Sequence, residues 1–176
     1  MADSPLVSVQ KYKLFTITPA VQASPDYAAG DVLFAPTEIG GLFTDAGTAC
    51  ILKNITIIDK QYVTTHAFTL YFTHSSTAFG TINATAGVAV GTLEEIQAAI
   101  RVRDADWIAG GGAGSVDLAN VCTISNPAID GIGAVLQGSN WSGASKDKSV
   151  YVVGIADETM NVASTSDLII KIGVEY

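Results

Sequence analysis

Charge is scarce in this 176-residue chain, and positive charge is the scarcer kind. Asp, Glu, Lys and Arg make up 15% of the residues, with nine basic against 17 acidic side chains and a net charge of −8. Nucleic-acid binding draws its affinity from clustered Lys and Arg placed against phosphates, so this balance argues against DNA or RNA as a direct partner. Cysteine is nearly absent as well. Cys50 and Cys122 stand far apart, each within a predicted strand, which excludes a disulfide-framework domain and leaves both expected as free, buried, structural thiols. No apolar run approaches the ~20 residues that a membrane-spanning helix needs, and no membrane partner is expected. The opening Met-Ala-Asp-Ser-Pro has neither the basic start nor the apolar stretch of a signal peptide, so the expectation is a soluble product of the cytoplasm. On that expectation the sequons at Asn54, Asn83 and Asn140 carry no weight, because glycosylation requires secretion.

What fills the chain is apolar and small: 48% hydrophobic residues, 17 glycines, and many Ser, Thr and Ala. At this length one domain can bury roughly 70% of its unfolded surface. With so little charge to present, such a domain is expected to hide part of its remaining surface in an assembly.

The clearest local signal is Phe68, Leu70 and Phe72 alternating with Thr69, Tyr71 and Thr73, the period-2 pattern of a strand with one buried face. Burying the three inward side chains is worth roughly 5–9 kcal/mol before entropy is counted, enough to fix the register of a pairing partner. Ahead of it, Ala49–Ile58 is rich in isoleucine and reads as β although Lys53 and Asn54 interrupt both faces. These two segments, Ala49–Ile58 and His66–Thr73, are expected to pair as an antiparallel hairpin. Tyr27–Asp31 reads as a turn in which Gly30 supplies positive φ and delivers a short strand, Asp31–Phe34.

In chain order, Val7–Thr18 is a β pattern whose Lys11 and Lys13 mark an edge strand, and Ala20–Pro25 is a connector. Glu38–Thr48 is a glycine-bearing loop. Thr92 with Glu95 three residues on forms a capping box, which predicts one short helix over Thr92–Ala99. Strands follow at Ile100–Trp107, Val116–Ile124, Ile132–Leu136 and Val150–Ala156. The last strand sets Leu168, Ile170, Ile172 and Val174 on one face, with Lys171 and Glu175 on the other. No repeat and no linker divides residues 1–176, so the reading is one all-β domain, a β-sandwich with jelly roll as the candidate topology and one short helix. Residues 1–25 form its N-terminal strand or arm, a candidate for oligomer contacts.

Convergent chemistry is thin. His66 and His74 flank one strand, roughly 26 Å apart at ~3.3 Å per residue, and cannot share a metal. Gly110–Ser115 lacks the Gly-Lys-Ser/Thr ending of a phosphate loop and reads as a mobile loop. Asp104 and Asp106, alternate residues on a predicted strand, share a face but lack the rest of a calcium loop. Trp107 is assigned to the core, and Trp141 either packs in its loop or makes an intermolecular contact. Arg101 and Arg103 alternate on one strand face, facing solvent or the acidic groups of a neighbour. The candidate intermolecular contacts are therefore Lys11, Lys13, Arg101, Arg103 and Trp141. No catalytic residue, cofactor or metal is expected, and the chain is not read as an enzyme.

The order of features carries a resemblance. Tyr27-Ala-Ala-Gly-Asp31, Gly47, Ile51-Leu-Lys-Asn-Ile-Thr-Ile-Ile-Asp59 and Leu70-Tyr-Phe72 are followed by Ile100-Arg-Val-Arg-Asp-Ala-Asp-Trp107, Val150-Tyr-Val-Val153 and Ser164-Thr-Ser-Asp-Leu-Ile-Ile-Lys-Ile172. Over residues 26–107 and 149–175 this resembles the capsid decoration (cement) proteins of tailed bacteriophages. It departs from their pattern at Thr81–Gly87, where an acidic, aromatic-bearing segment is expected. The resemblance implies a virion structural protein on the outside of an icosahedral head, made in the host cytoplasm. Its implied partners are the major capsid protein and further copies of itself, commonly as a homotrimer about local three-fold axes. Two other readings are a phage tail or fibre β module, and a carbohydrate-binding β-sandwich, which would require a planar row of exposed aromatics.

Overall fold

A computed structural model describes residues 11–43, 48–60, 66–87, 93–108, 120–125, 132–138, 149–162 and 164–176. Among the described residues ten strands make up two antiparallel sheets. They are β1 (Tyr12–Ile17), β2 (Val32–Glu38), β3 (Ala49–Asp59), β4 (Phe68–Thr73), β5 (Ile96–Val102), β6 (Trp107–Ile108), β7 (Asn120–Ile124), β8 (Val135–Gln137), β9 (Tyr151–Ala156) and β10 (Leu168–Glu175). The six-stranded sheet runs β1-β10-β3-β7-β6, with β8 beside β3, and the four-stranded sheet runs β2-β9-β4-β5. The chain is thus an all-β sandwich. Its pairings are nested, first with last and inward: β1 with β10, β2 with β9, β3 with β7, β4 with β5. A ribbon folded on itself and rolled gives that order, which is the jelly roll.

The rolled order corrects the expected hairpin. β3 and β4 do not pair; β3 is hydrogen-bonded to β10, β7 and β8, and β4 to β9 and β5 in the opposite sheet. Alternation shows which face of a strand is buried, and that face looks the same whether the next strand lies beside it or across the core. At 11 residues β3 is long enough to take β8 along Ala49–Ile51 and β7 along Ile55–Asp59.

The expected helix is also corrected. From Ile96 the chain is already strand, with Ala98, Ile100 and Val102 buried at period 2. Thr92 lies outside the described residues, and the Glu95 carboxylate accepts a hydrogen bond from the Ser75 hydroxyl. Leu93 is helical and residues 94–95 turn into the strand, so the expected helix does not extend to Ala99; a 3-10 turn, Asp104–Asp106, interrupts the strand expected over Ile100–Trp107. Asp106 Oδ2 accepts from the Arg103 amide at 2.9 Å, so Asp104 and Asp106 serve a chain turn instead of lining one strand face.

The core lies between the sheets. Leu52, Ile55 and Ile57 of β3 and Ile170, Ile172 and Val174 of β10 meet Phe34, Phe68, Leu70, Ile100 and Val152 from the other side, all fully buried. Cys50 and Cys122 are buried free thiols, as expected, and burial pushes the Cys50 thiol up to about 11. Trp107 is buried against Phe68, as its assignment to the core required. The turn before β2 forms as read: Gly30 has φ +90°, and Asp31 Oδ2 accepts from the Ala28 amide at 2.8 Å. The sequence's other loop, Gly110–Ser115, falls outside the described residues.

Candidate interaction surface

The two outer faces of the sandwich differ. Over the four-stranded sheet the chain folds back after β4. Phe79 packs on Val32, Val153 and Ile155 with Tyr71, Ala86 and Ile96 around it, a small second core outside the sheet. The Tyr71 and Phe79 rings stand 5.7 Å apart, and bridges from Ile82 to Val32 and from Thr85 to Asp31 tie the segment to the start of β2. Thr81–Gly87, where the sequence departs from the decoration-protein pattern, is therefore part of this cover.

The six-stranded sheet presents its outer side differently. Ile169, Ile58, Val121 and Ile108 stand directly opposite one another on β10, β3, β7 and β6, an aliphatic row across four strands. Ile108 is 74% exposed. The next row, Thr16, Lys171, Thr56 and Thr123, is polar, and the far end carries Tyr12, Glu175, Ile51 and Val135. Between these lie Leu14, Gly173 and Asn54. Gly173 has no side chain because Tyr12 crosses it, donating from its hydroxyl to Asn54 Oδ1 at 3.2 Å; a Cβ there would strike both groups.

This face is also where the scarce positive charge collects. Lys53, at the bulge where β3 meets β10, reaches Glu175 at 2.9 Å. Lys60 donates to the Ser166 carbonyl at 3.0 Å, and Lys171 stands in the polar row. Among the described residues Glu175 is the one carboxylate that the strands of this sheet turn outward, since Asp59 is buried on the inner side.

At the edge, β1 bears out its reading as an edge strand: among the described residues no strand pairs with its far side. Tyr12 and Leu14 are each 54% exposed. Both lysines here also hold the C-terminus, Lys11 accepting from the Tyr176 amide through its carbonyl and Lys13 placing Nζ 5.1 Å from the Tyr176 ring centre. Arg101 belongs to the other sheet. Its Nε donates to Asp157 Oδ2 at 3.1 Å, and the Thr69 hydroxyl lies 3.0 Å from the same oxygen. Arg103 follows β5 and opens the 3-10 turn. Trp141 lies outside the described residues. The four expected contacts among the described residues thus do not converge: Lys11 and Lys13 belong with the six-stranded sheet, Arg101 and Arg103 with the four-stranded one.

One buried polar group closes an end of the sandwich. His66 Nε2 lies 3.5 Å from Asp59 Oδ2, and Trp107 Nε1 donates to the His66 carbonyl at 2.8 Å. Burial pulls the His66 pKa below its ordinary value, opposed by the charges of Glu158 and Asp104 and by a backbone bond at Asn161. Asp59, His66, Phe68, Trp107 and Met160 help line a cavity of about 10 Å³ there, the size of a single water. Among the described residues no three His, Cys, Asp or Glu side chains lie close enough to share a metal ion. No protein-family model matches the sequence, and no curated protein matches it.

Lys53, Lys60, Lys171 and the aliphatic row were not among the contacts expected from sequence. Lys53 was visible as an interruption of a β pattern and Lys171 as a polar-face residue of the last strand, but a single strand does not show that several strands put such residues on one face.

Proposed function

We propose that the chain is a structural protein of a phage virion, a decoration protein that binds the outside of an icosahedral head and holds neighbouring capsid subunits together. The observation that carries this reading is the asymmetry of the sandwich: one outer face is packed under the chain's own Phe79 segment, while among the described residues no segment covers the other, which is bordered by the unpaired edge of β1. The order of turn, strands and terminal strand that resembles the decoration proteins supports it independently. A clamp needs a stiff scaffold and many equivalent weak contacts whose avidity does the holding. A rolled sandwich with a continuous core supplies the stiffness, and self-association through strand edges into a trimer supplies the multiplicity.

Quantitative mass spectrometry of purified particles, with heads and tails separated, tests this reading. Hundreds of copies on heads are expected. A few copies confined to tails would replace it with the tail or fibre module, and absence from particles would overturn both.

A further inference from the structure

We infer that the outer face of the six-stranded sheet is the docking face, and that its partner is an acidic protein surface. This rests on the decoration reading and adds to it the side of the molecule that touches the head and the chemistry that meets it. Three observations point this way. On a chain of net charge −8, Lys53, Lys60 and Lys171 project from one sheet whose single outward strand carboxylate among the described residues, Glu175, is already held by Lys53. The four-stranded sheet's exposed arginine, Arg101, is by contrast neutralised by Asp157. Beside the lysines runs the row Ile169, Ile58, Val121 and Ile108, apolar surface of the kind found at the centre of an interface with charge around it.

Size and symmetry decide against a second copy on this face. Five strands at ~4.8 Å spacing and about eight residues at ~3.3 Å give on the order of 600 Å², below the roughly 800 Å² per partner of a stable pairwise complex. A two-fold contact would also set a lysine-bearing surface against itself. A small, positively charged face on an acidic protein fits a weak contact with an acidic partner, made strong by repetition across a lattice.

The test is co-sedimentation of the full-length chain with heads that lack it, at low and at physiological salt. The double variant Lys60→Glu/Lys171→Glu is expected to bind about tenfold or more weakly, with the difference shrinking as salt rises. Its circular dichroism and melting temperature should match the unsubstituted chain, since neither lysine is buried. Arg101→Glu/Arg103→Glu, on the opposite sheet, is expected to bind as the unsubstituted chain does. Unchanged binding by the lysine variant, or loss confined to the arginine variant, would overturn the assignment of the face while leaving the decoration reading intact. Failure of the unsubstituted chain to bind heads would overturn both. Lysine-dependent capture by phosphatidylserine vesicles, without binding to heads, would replace the acidic protein with an anionic lipid surface.

Discussion

The side-chain amide of Gln97 holds the backbone of Gln137 across the corner between the two sheets. Gln97 Nε2 donates to the Gln137 carbonyl at 2.7 Å, and the Gln137 amide donates to Gln97 Oε1 at 2.5 Å. The arrangement originates in β5, where Ala98 and Ile96 pair with consecutive residues Phe72 and Thr73 and leave Gln97 as the extra residue of a bulge. A bulge re-aims a side chain. Here it is aimed at β8, and a carboxamide takes the place that a neighbouring strand would hold.

Two such bonds in a half-exposed position contribute about 1–2 kcal/mol together. Gln97→Ala is expected to lower stability by that amount in urea unfolding, with the slope unchanged. Gln97→Glu is expected to do no better, because a carboxylate can accept from the Gln137 amide but repels its carbonyl.

Gly154 of β9 faces the core where the Phe34 ring lies over it, and a Cβ there would run into that ring. Phe34 is fully buried and cannot swing away into solvent. Gly154→Ala is therefore expected to cost about 1–3 kcal/mol as an overpacking change, although alanine suits a strand no worse than glycine. Chemical denaturation of the variant measures this.

Phe79 is the anchor of the cover over the four-stranded sheet. Phe79→Ala is expected to cost about 3 kcal/mol or more and to expose Val153 and Ile155, with a rise in binding of a hydrophobic dye. Protease cleavage between residues 74 and 87 should appear first, before the main sandwich is cut.

The buried His66 makes stability depend on pH. Because burial holds its folded-state pKa below 6.5, the unfolded chain takes up the proton first. The contribution is complete above that value and is lost as pH falls through it toward the folded-state pKa. The charges of Glu158 and Asp104 temper the loss without reversing it. The melting temperature is expected to fall between about pH 7.5 and pH 5.5, and to fall less in His66→Gln, which keeps a side chain of similar size without a titrating proton.

How much of this was legible beforehand differs by level. Strand positions were, because alternation such as Leu168, Ile170, Ile172 and Val174 needs only the burial of one face, and all four are buried. The edge position of β1 was also legible, through Lys11 and Lys13. Pairing was not: nothing local to Ile58 or Phe68 says that the chain crosses to the other sheet between them. The helix expected over Thr92–Ala99 was drawn too long because a capping box describes four residues, while Ile96, Ala98, Ile100 and Val102 commit the following segment to a strand by burial. The outer-face row was hidden for the same reason as the pairing, since Ile58, Val121, Ile108 and Ile169 become neighbours only through the register of four strands.

If the sandwich clamps a capsid from outside, as proposed, the temperature at which packaged DNA escapes should depend on it. Heads stripped of the chain should release DNA at a lower temperature than complete heads, and adding the purified chain back should raise that temperature in step with occupancy until sites are full. A release temperature that stays fixed at full occupancy, or a chain that never reaches occupancy, would rule out the clamp.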